Sequence, residues 1–145
     1  MSRGYTLFEV LVVLAIIGLV AGIVVPPTSM LGDRLAVEHQ AARILAAYRS
    51  AWLTARIDHR LALLRISPDT LAIRTVPSAG APDTALVWMA SGPAAAGVSL
   101  TSAPHTTIFG PDGVAMGLSN ARHVLTRGAA KREVVVSRLG RVRVQ

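Results

Sequence analysis

Glu9 is the first residue of this chain that asks for a chemical explanation. It is the only charged side chain in residues 5–25, and from Val10 to Val25 nothing charged or strongly polar occurs. A carboxylate placed in such a run costs roughly 2–3 kcal/mol if it lies deep in a membrane without a partner. A second constellation is Gly140-Arg141-Val142-Arg143. In an extended chain Arg141 and Arg143 project to the same side about 7 Å apart, a spacing similar to that of successive phosphates. Arg138 adds a third cation nearby, so the trio forms a candidate anion or DNA contact. The bland alternative is the polar face of a final strand whose apolar face is Val142 and Val144.

Other chemistry finds little footing. The four histidines, His39, His59, His105 and His123, never approach His-x-x-x-His spacing and read as surface or partly buried residues. No G-x-G-x-x-G, P-loop or Gly-x-Ser-x-Gly elbow is present. Asp112 sits in a turn, where a structural role is expected. The eight acids are scattered, whereas calcium needs clustered oxygens. With no cysteine, disulfides, thiolate zinc sites, cysteine nucleophiles and lipoprotein acylation all fall away. The expectation is no catalytic residue, no metal, no cofactor and no enzyme.

Residues 5–25, which carry Glu9, are long enough for a helix of about 30 Å, enough for a bilayer core. Pro26 and Pro27 follow at once. A secretory signal peptide would want a basic n-region and a small-residue cleavage site, but Arg3 is the only basic residue and Val20-Ala21-Gly22 is a poor site. A plain membrane anchor accounts for the apolar run but not for Glu9.

The run Gly4-Tyr5-Thr6-Leu7-Phe8-Glu9 resembles the processing site of type IV pilins and type II secretion pseudopilins. Tyr5 stands where that family usually has phenylalanine, and Phe8 where it has an aliphatic residue. The resemblance implies that a prepilin peptidase cuts between Gly4 and Tyr5 and methylates the new N-terminal amine of Tyr5. Glu9 then serves filament assembly by pairing with the free amine of a neighbouring subunit. Pro26 falls where many pilins carry a kinking proline, and Gly18 where many carry a glycine. The implied organisation is a leader over residues 1–4 and a transmembrane and filament-core helix over 5–27. An amphipathic continuation of that spine over 28–59 and a β-rich head over 60–145 follow.

The rest of the chain supports this α+β architecture of a long N-terminal helix and a β-rich head. Met30, Val37, Ala41, Ile44, Leu45, Tyr48, Trp52 and Ala55 recur at a 3.6 period from a possible N-cap at Ser29 to about His59. Tyr48 and Trp52 read as core. Asp33, Gln40, Arg43, Ser50, Thr54 and Asp58 fall on the opposite face. Two apolar runs over 61–66 and 71–76, joined by Ser67-Pro68-Asp69-Thr70, predict a hairpin. Residues 77–83 read as loop. Further strands are expected over 86–89, 98–101, 106–109, 133–139 and 141–144, with a turn at Gly110-Pro111-Asp112-Gly113 and a break at Gly140.

That turn, and the ending Val134-Val135-Val136-Ser137 followed by Gly140-Arg141-Val142-Arg143, look like the GspH/FimT family of minor pseudopilins and minor pilins. Two roles follow from the resemblance. One is a minor pseudopilin of type II secretion, in the bacterial inner membrane by a single span with its head in the periplasm. Its partners would be the prepilin peptidase, other pseudopilins and secreted substrates. The other is a FimT-like minor pilin of a type IV pilus, involved in assembly or DNA uptake through Gly-Arg-x-Arg. The charge supports an anionic partner: of a net +7, residues 122–145 hold seven cations and one acid.

Overall fold

The computed structural model describes residues 6–24, 28–76, 84–102, 105–116, 120–137 and 140–145. Two helices come first, α1 (Leu7–Val24) and α2 (Thr28–Ile57). Pro26 and Pro27, expected at the boundary between the two parts of the spine, lie outside the described residues. So does the expected loop over 77–83. Because α2 begins at Thr28, Ser29 is a helical residue and not the N-cap expected for it.

Nine strands follow among the described residues: β1 (Ala62–Ile66), β2 (Thr70–Thr75), β3 (Ala85–Ser91), β4 (Ser99–Thr101), β5 (His105–Phe109), β6 (Ala115–Met116), β7 (Ala121–Arg127), β8 (Ala130–Val136) and β9 (Val142–Val144). They form an antiparallel sheet of order β3-β2-β1-β5-β6 and a second of order β4-β7-β8-β9. The expected hairpin is β1–β2, in register Ile66 opposite Leu71. Its turn is closed by the Ser67 amide donating to the Thr70 carbonyl at 3.0 Å. A 3-10 turn (Pro93–Ala96) lies over it, with the Gly92 amide bonded to the Asp69 carbonyl at 2.7 Å. A Cβ at Gly92 would run into the Pro68 carbonyl, so only glycine fits there.

Helix α2 packs against β1, β2 and β5 of the first sheet and β7, β8 and β9 of the second. Val37, Ala41, Ile44, Tyr48, Ala51 and Ala55, spaced alternately by four and three, form its buried stripe. The alanines let the sheets approach closely, while Leu64, Ile66, Leu71, Ile73, Phe109 and Leu125 fill the space between. Each such large side chain contributes about 1.5–3 kcal/mol on burial.

This stripe is rotated from the one read in the sequence. Gln40, placed on the polar face, is 2% exposed, whereas Met30 is 60% exposed and Trp52 37%. Gln40 lies one residue from Ala41 at the centre of the contact, and its Oε1 accepts from Arg43 at 3.2 Å. Trp52 sits beside the true stripe of Tyr48, Ala51 and Ala55, so it covers an edge and is not core. The helix ends with His59 in the left-handed region at φ 51°. The Arg60 amide reaches back to the Ala55 carbonyl at 3.2 Å, a C-terminal cap of Schellman type.

Strand β7 was not foreseen, nor was the two-residue β6. The inward side chains of β7 include His123 and Leu125, and the outward ones are Arg122, Val124 and Thr126. A histidine as a core residue hides the period-2 signal.

Candidate functional site

Glu9 lies in the first turn of α1, where a carboxylate is favoured by the positive helix end. Thr6 is the cap: the Glu9 amide bonds to the Thr6 carbonyl at 3.1 Å and to its Oγ1 at 3.3 Å. The Thr-x-x-Glu spacing is a capping-box signal in the sequence that the family resemblance overshadowed. All described side chains of α1 are exposed, and no cation among the described residues pairs with Glu9. Gly4 and Tyr5, the expected processing and methylation positions, lie outside them as well. No helix among the described residues is long and apolar enough to cross a membrane. The 18 residues of α1 rise about 27 Å, slightly less than the ~30 Å hydrocarbon core. The apolar run continues in sequence to Val25.

The basic C-terminal segment is partly neutralised. Lys131 and Arg122 both reach Glu133, at 2.8 and 3.2 Å. Arg127 pairs with Asp33 at 3.0 Å and Arg132 with Glu38 at 2.6 Å, both acids of α2. The Lys131 hydrogen bond, aided by the Arg122 charge, holds the Glu133 carboxyl below its ordinary range. The cation of each pair is exposed, so water screens the attraction and each pair contributes little. Because Lys131 and Arg122 share Glu133, the four pairs set three acids against the segment's seven cations and lower its positive field only in part.

Arg141 and Arg143 are different. Both are exposed, and no acid among the described residues pairs with either. Arg143 is central in β9 opposite Val135, and Arg141 precedes the strand. They line one depression of about 610 Å³ together with Trp52, Val135, Ser137 and Gln145. Arg138, the third expected cation, lies outside the described residues. Gly140 turns the chain into β9 at φ 78°, with its Cα facing Phe109 and Ala115. A second depression of about 230 Å³, lined by Leu45, Arg49, Trp52 and Val142, adjoins the first. Arg56 stacks over the Trp52 ring at 4.9 Å. Sequence reading missed the part of Trp52, Arg49 and Arg56 in this groove, because nothing local links α2 to the C-terminal strand.

Inside the head lies a buried polar cluster that the sequence did not indicate. Tyr48 Oη is 2.9 Å from His123 Nε2 and 3.4 Å from Thr107 Oγ1. Ser102 Oγ is 3.2 Å from His123 Nδ1. The His105 ring stands 6.0 Å from that of His123, and its buried Nε2 has no partner among the described residues. His123 is 0% exposed, against the surface or partly buried position expected for it. Burial, then the neighbouring His105, pushes its pKa down to about 4. Burial drives the Tyr48 hydroxyl up to about 12 although Thr107 opposes this. Among the described residues no group of three or more His, Cys, Asp or Glu side chains is placed to hold a metal. The cluster has three hydroxyls and an imidazole in contact around the fully buried His123, so its chemistry is cohesion.

The profile of the prokaryotic N-terminal methylation motif matches residues 1–25. The N-terminal helix leading to a β-rich head gives the chain an α+β architecture like that of type IV pilins, with the motif at the start of the helix. The motif implies processing by a prepilin peptidase and assembly with other pilins, and it fits a membrane-anchored subunit. No curated protein and no solved structure matches the chain.

Proposed function

We propose that this protein is a minor pseudopilin of type II secretion, of GspH/FimT type. It would assemble into the periplasmic pseudopilus that drives folded proteins through the outer membrane. The observation that carries this reading is the prepilin motif on α1 joined to a two-sheet head ending in β8, Gly140 and β9. In this mechanism the apolar α1 waits in the inner membrane after cleavage at Gly4–Tyr5. The new Tyr5 amine and the Glu9 carboxylate of neighbouring subunits then pair as helices pack into the filament. The pair satisfies a carboxylate that is otherwise costly to bury. A protein of this kind acts by assembly, without catalytic residue, metal or cofactor.

The FimT-like alternative of DNA uptake has less support. Four of the seven cations in residues 122–145 are paired with three acids, which lowers the positive field that a long anionic backbone would meet. The deciding experiment is deletion of the gene in its own bacterium. The secretion reading expects secreted proteins to accumulate in the periplasm while natural transformation continues. Normal secretion with lost transformation would overturn it in favour of the pilus.

A further inference from the structure

The edge of β9 combines three features that the filament role does not use. First, its main chain is open. Glu133 and Gln145 exchange both amide bonds at 2.8 Å, and the Ser137 amide bonds to the Arg141 carbonyl at 2.9 Å. Antiparallel alternation then directs the N–H and C=O groups of Val142 and Val144 away from β8. Among the described residues β9 is the last strand of its sheet, so two donors and two acceptors lie unpaired along its outer edge, beside the groove that Arg141, Val142 and Arg143 line. Second, this groove is flanked by Arg49, Arg56, Arg141 and Arg143, none paired with an acid among the described residues. Third, Trp52 gives it an apolar wall.

We propose that β9 takes up an extended acidic segment of a partner protein as an additional strand. The ladder of Val142 and Val144 would supply main-chain bonds. Acids at alternate positions of the incoming strand would meet Arg141 and Arg143, which recur at the same two-residue period. An apolar side chain between them would rest on Trp52. Nucleic acid fits less well. Phosphates bring no donor for the Val142 and Val144 carbonyls, and a carbonyl buried unpaired costs about 1–3 kcal/mol. The other long open edge, β3, is less suited, because the register shift between Ile73 and Arg74 breaks its ladder and it carries no charge. The proposal goes beyond the secretion reading and stands equally for a pilus.

The test uses the full chain in non-ionic detergent and labelled eight-residue peptides of alternating glutamate and valine, read by fluorescence anisotropy. The expected result is saturable binding that weakens about tenfold when alternate peptide amides are N-methylated, since each lost bond removes about 1 kcal/mol or more. Binding should vanish for the lysine–valine peptide. It should weaken by about tenfold or more in the Arg141→Gln, Arg143→Gln double variant, with a flatter salt dependence. Val142→Pro removes an outward N–H without touching the β8 ladder and should weaken binding similarly. If that variant unfolds, the N-methylated peptide still decides the point. Equal binding of N-methylated and parent peptides would overturn strand pairing. Absence of peptide binding would overturn the site, and so would a 20-nucleotide DNA strand that binds where the peptide neither binds nor competes.

Discussion

Acidification should loosen this head through one residue. His123 is neutral in the folded protein, its pKa pushed down to about 4 by burial and by His105. In the unfolded chain the same imidazole titrates near the ordinary 6.5. The unfolded state therefore takes up the proton first as pH falls. The stability is fully present above pH 6.5 and is lost progressively between about 6.5 and 4. A depression of roughly 2.5 units at 1.36 kcal/mol each is a loss of about 3 kcal/mol, of which about 2 has gone by pH 5. That is some two orders of magnitude in the folding equilibrium, a large part of the stability of a small domain. The structural cause is specific. Protonation puts a charge in a site walled by Tyr48, Thr107, Leu125 and the His105 ring, where only hydroxyls are at hand to solvate it.

The assay is guanidinium unfolding of the full chain in detergent, followed by tryptophan fluorescence at fixed ionic strength between pH 7.5 and 4. His123→Gln is the control, since its amide reaches toward Tyr48 but does not titrate. Wild type should lose about 3 kcal/mol more than the variant across this window. Glu133, whose carboxyl is held below its usual range, contributes its own loss only at lower pH and equally in both proteins. Parallel losses in the two proteins would refute the reasoning, as would an NMR titration of His123 with a midpoint near 6.5.

Three further outcomes are expected. Co-expression with an active prepilin peptidase should shorten the chain by the four residues up to Gly4, seen as the intact mass beginning at Tyr5; an unshortened chain beside a processed control counts against the motif. Glu9→Val should leave the head folded and membrane-associated but block entry into filaments, as judged by shearing and immunoblotting; normal incorporation would remove the assembly role of the carboxylate. Gly140→Ala should lower stability by about 1–2 kcal/mol, because φ is 78° and the added Cβ would stand 3.2 Å from Phe109 Cε1; an unchanged denaturation midpoint would show that the turn relaxes freely.

What was legible in the sequence was local. The β1–β2 hairpin, the Gly110–Gly113 turn, with the Gly113 amide on the Gly110 carbonyl at 2.8 Å, and the break at Gly140 each had a residue whose backbone preference announces it. The helical extent of α2 was clear from its period. Its exact face was not, because Leu45 and Trp52 widen the apolar stripe on one side and Gln40 interrupts it on the other. The sites were hidden for a different reason. Tyr48 and His123 are 75 residues apart, and Arg132 and Glu38 are 94 apart. Charge counted along the chain could not reveal that Asp33 and Glu38 return to neutralise Arg127 and Arg132 from another element.

Helix α2 is the element that makes these distant features one structure, and its contacts divide by strength. Asp33 and Glu38 hold β7 and β8 through exposed ion pairs that salt screens and that contribute little each. Ile44, Tyr48, Ala51 and Ala55 hold both sheets through buried apolar surface, and the Tyr48 hydroxyl ties the helix to β5 through Thr107 and to β7 through His123. Any load passed along the helix reaches the two sheets through this inner line before the surface pairs matter. Raising ionic strength should thus leave the head intact, whereas acid, acting on His123, strikes the tie itself. A head built in this way resists variation in salt, and its cohesion depends instead on one imidazole staying neutral.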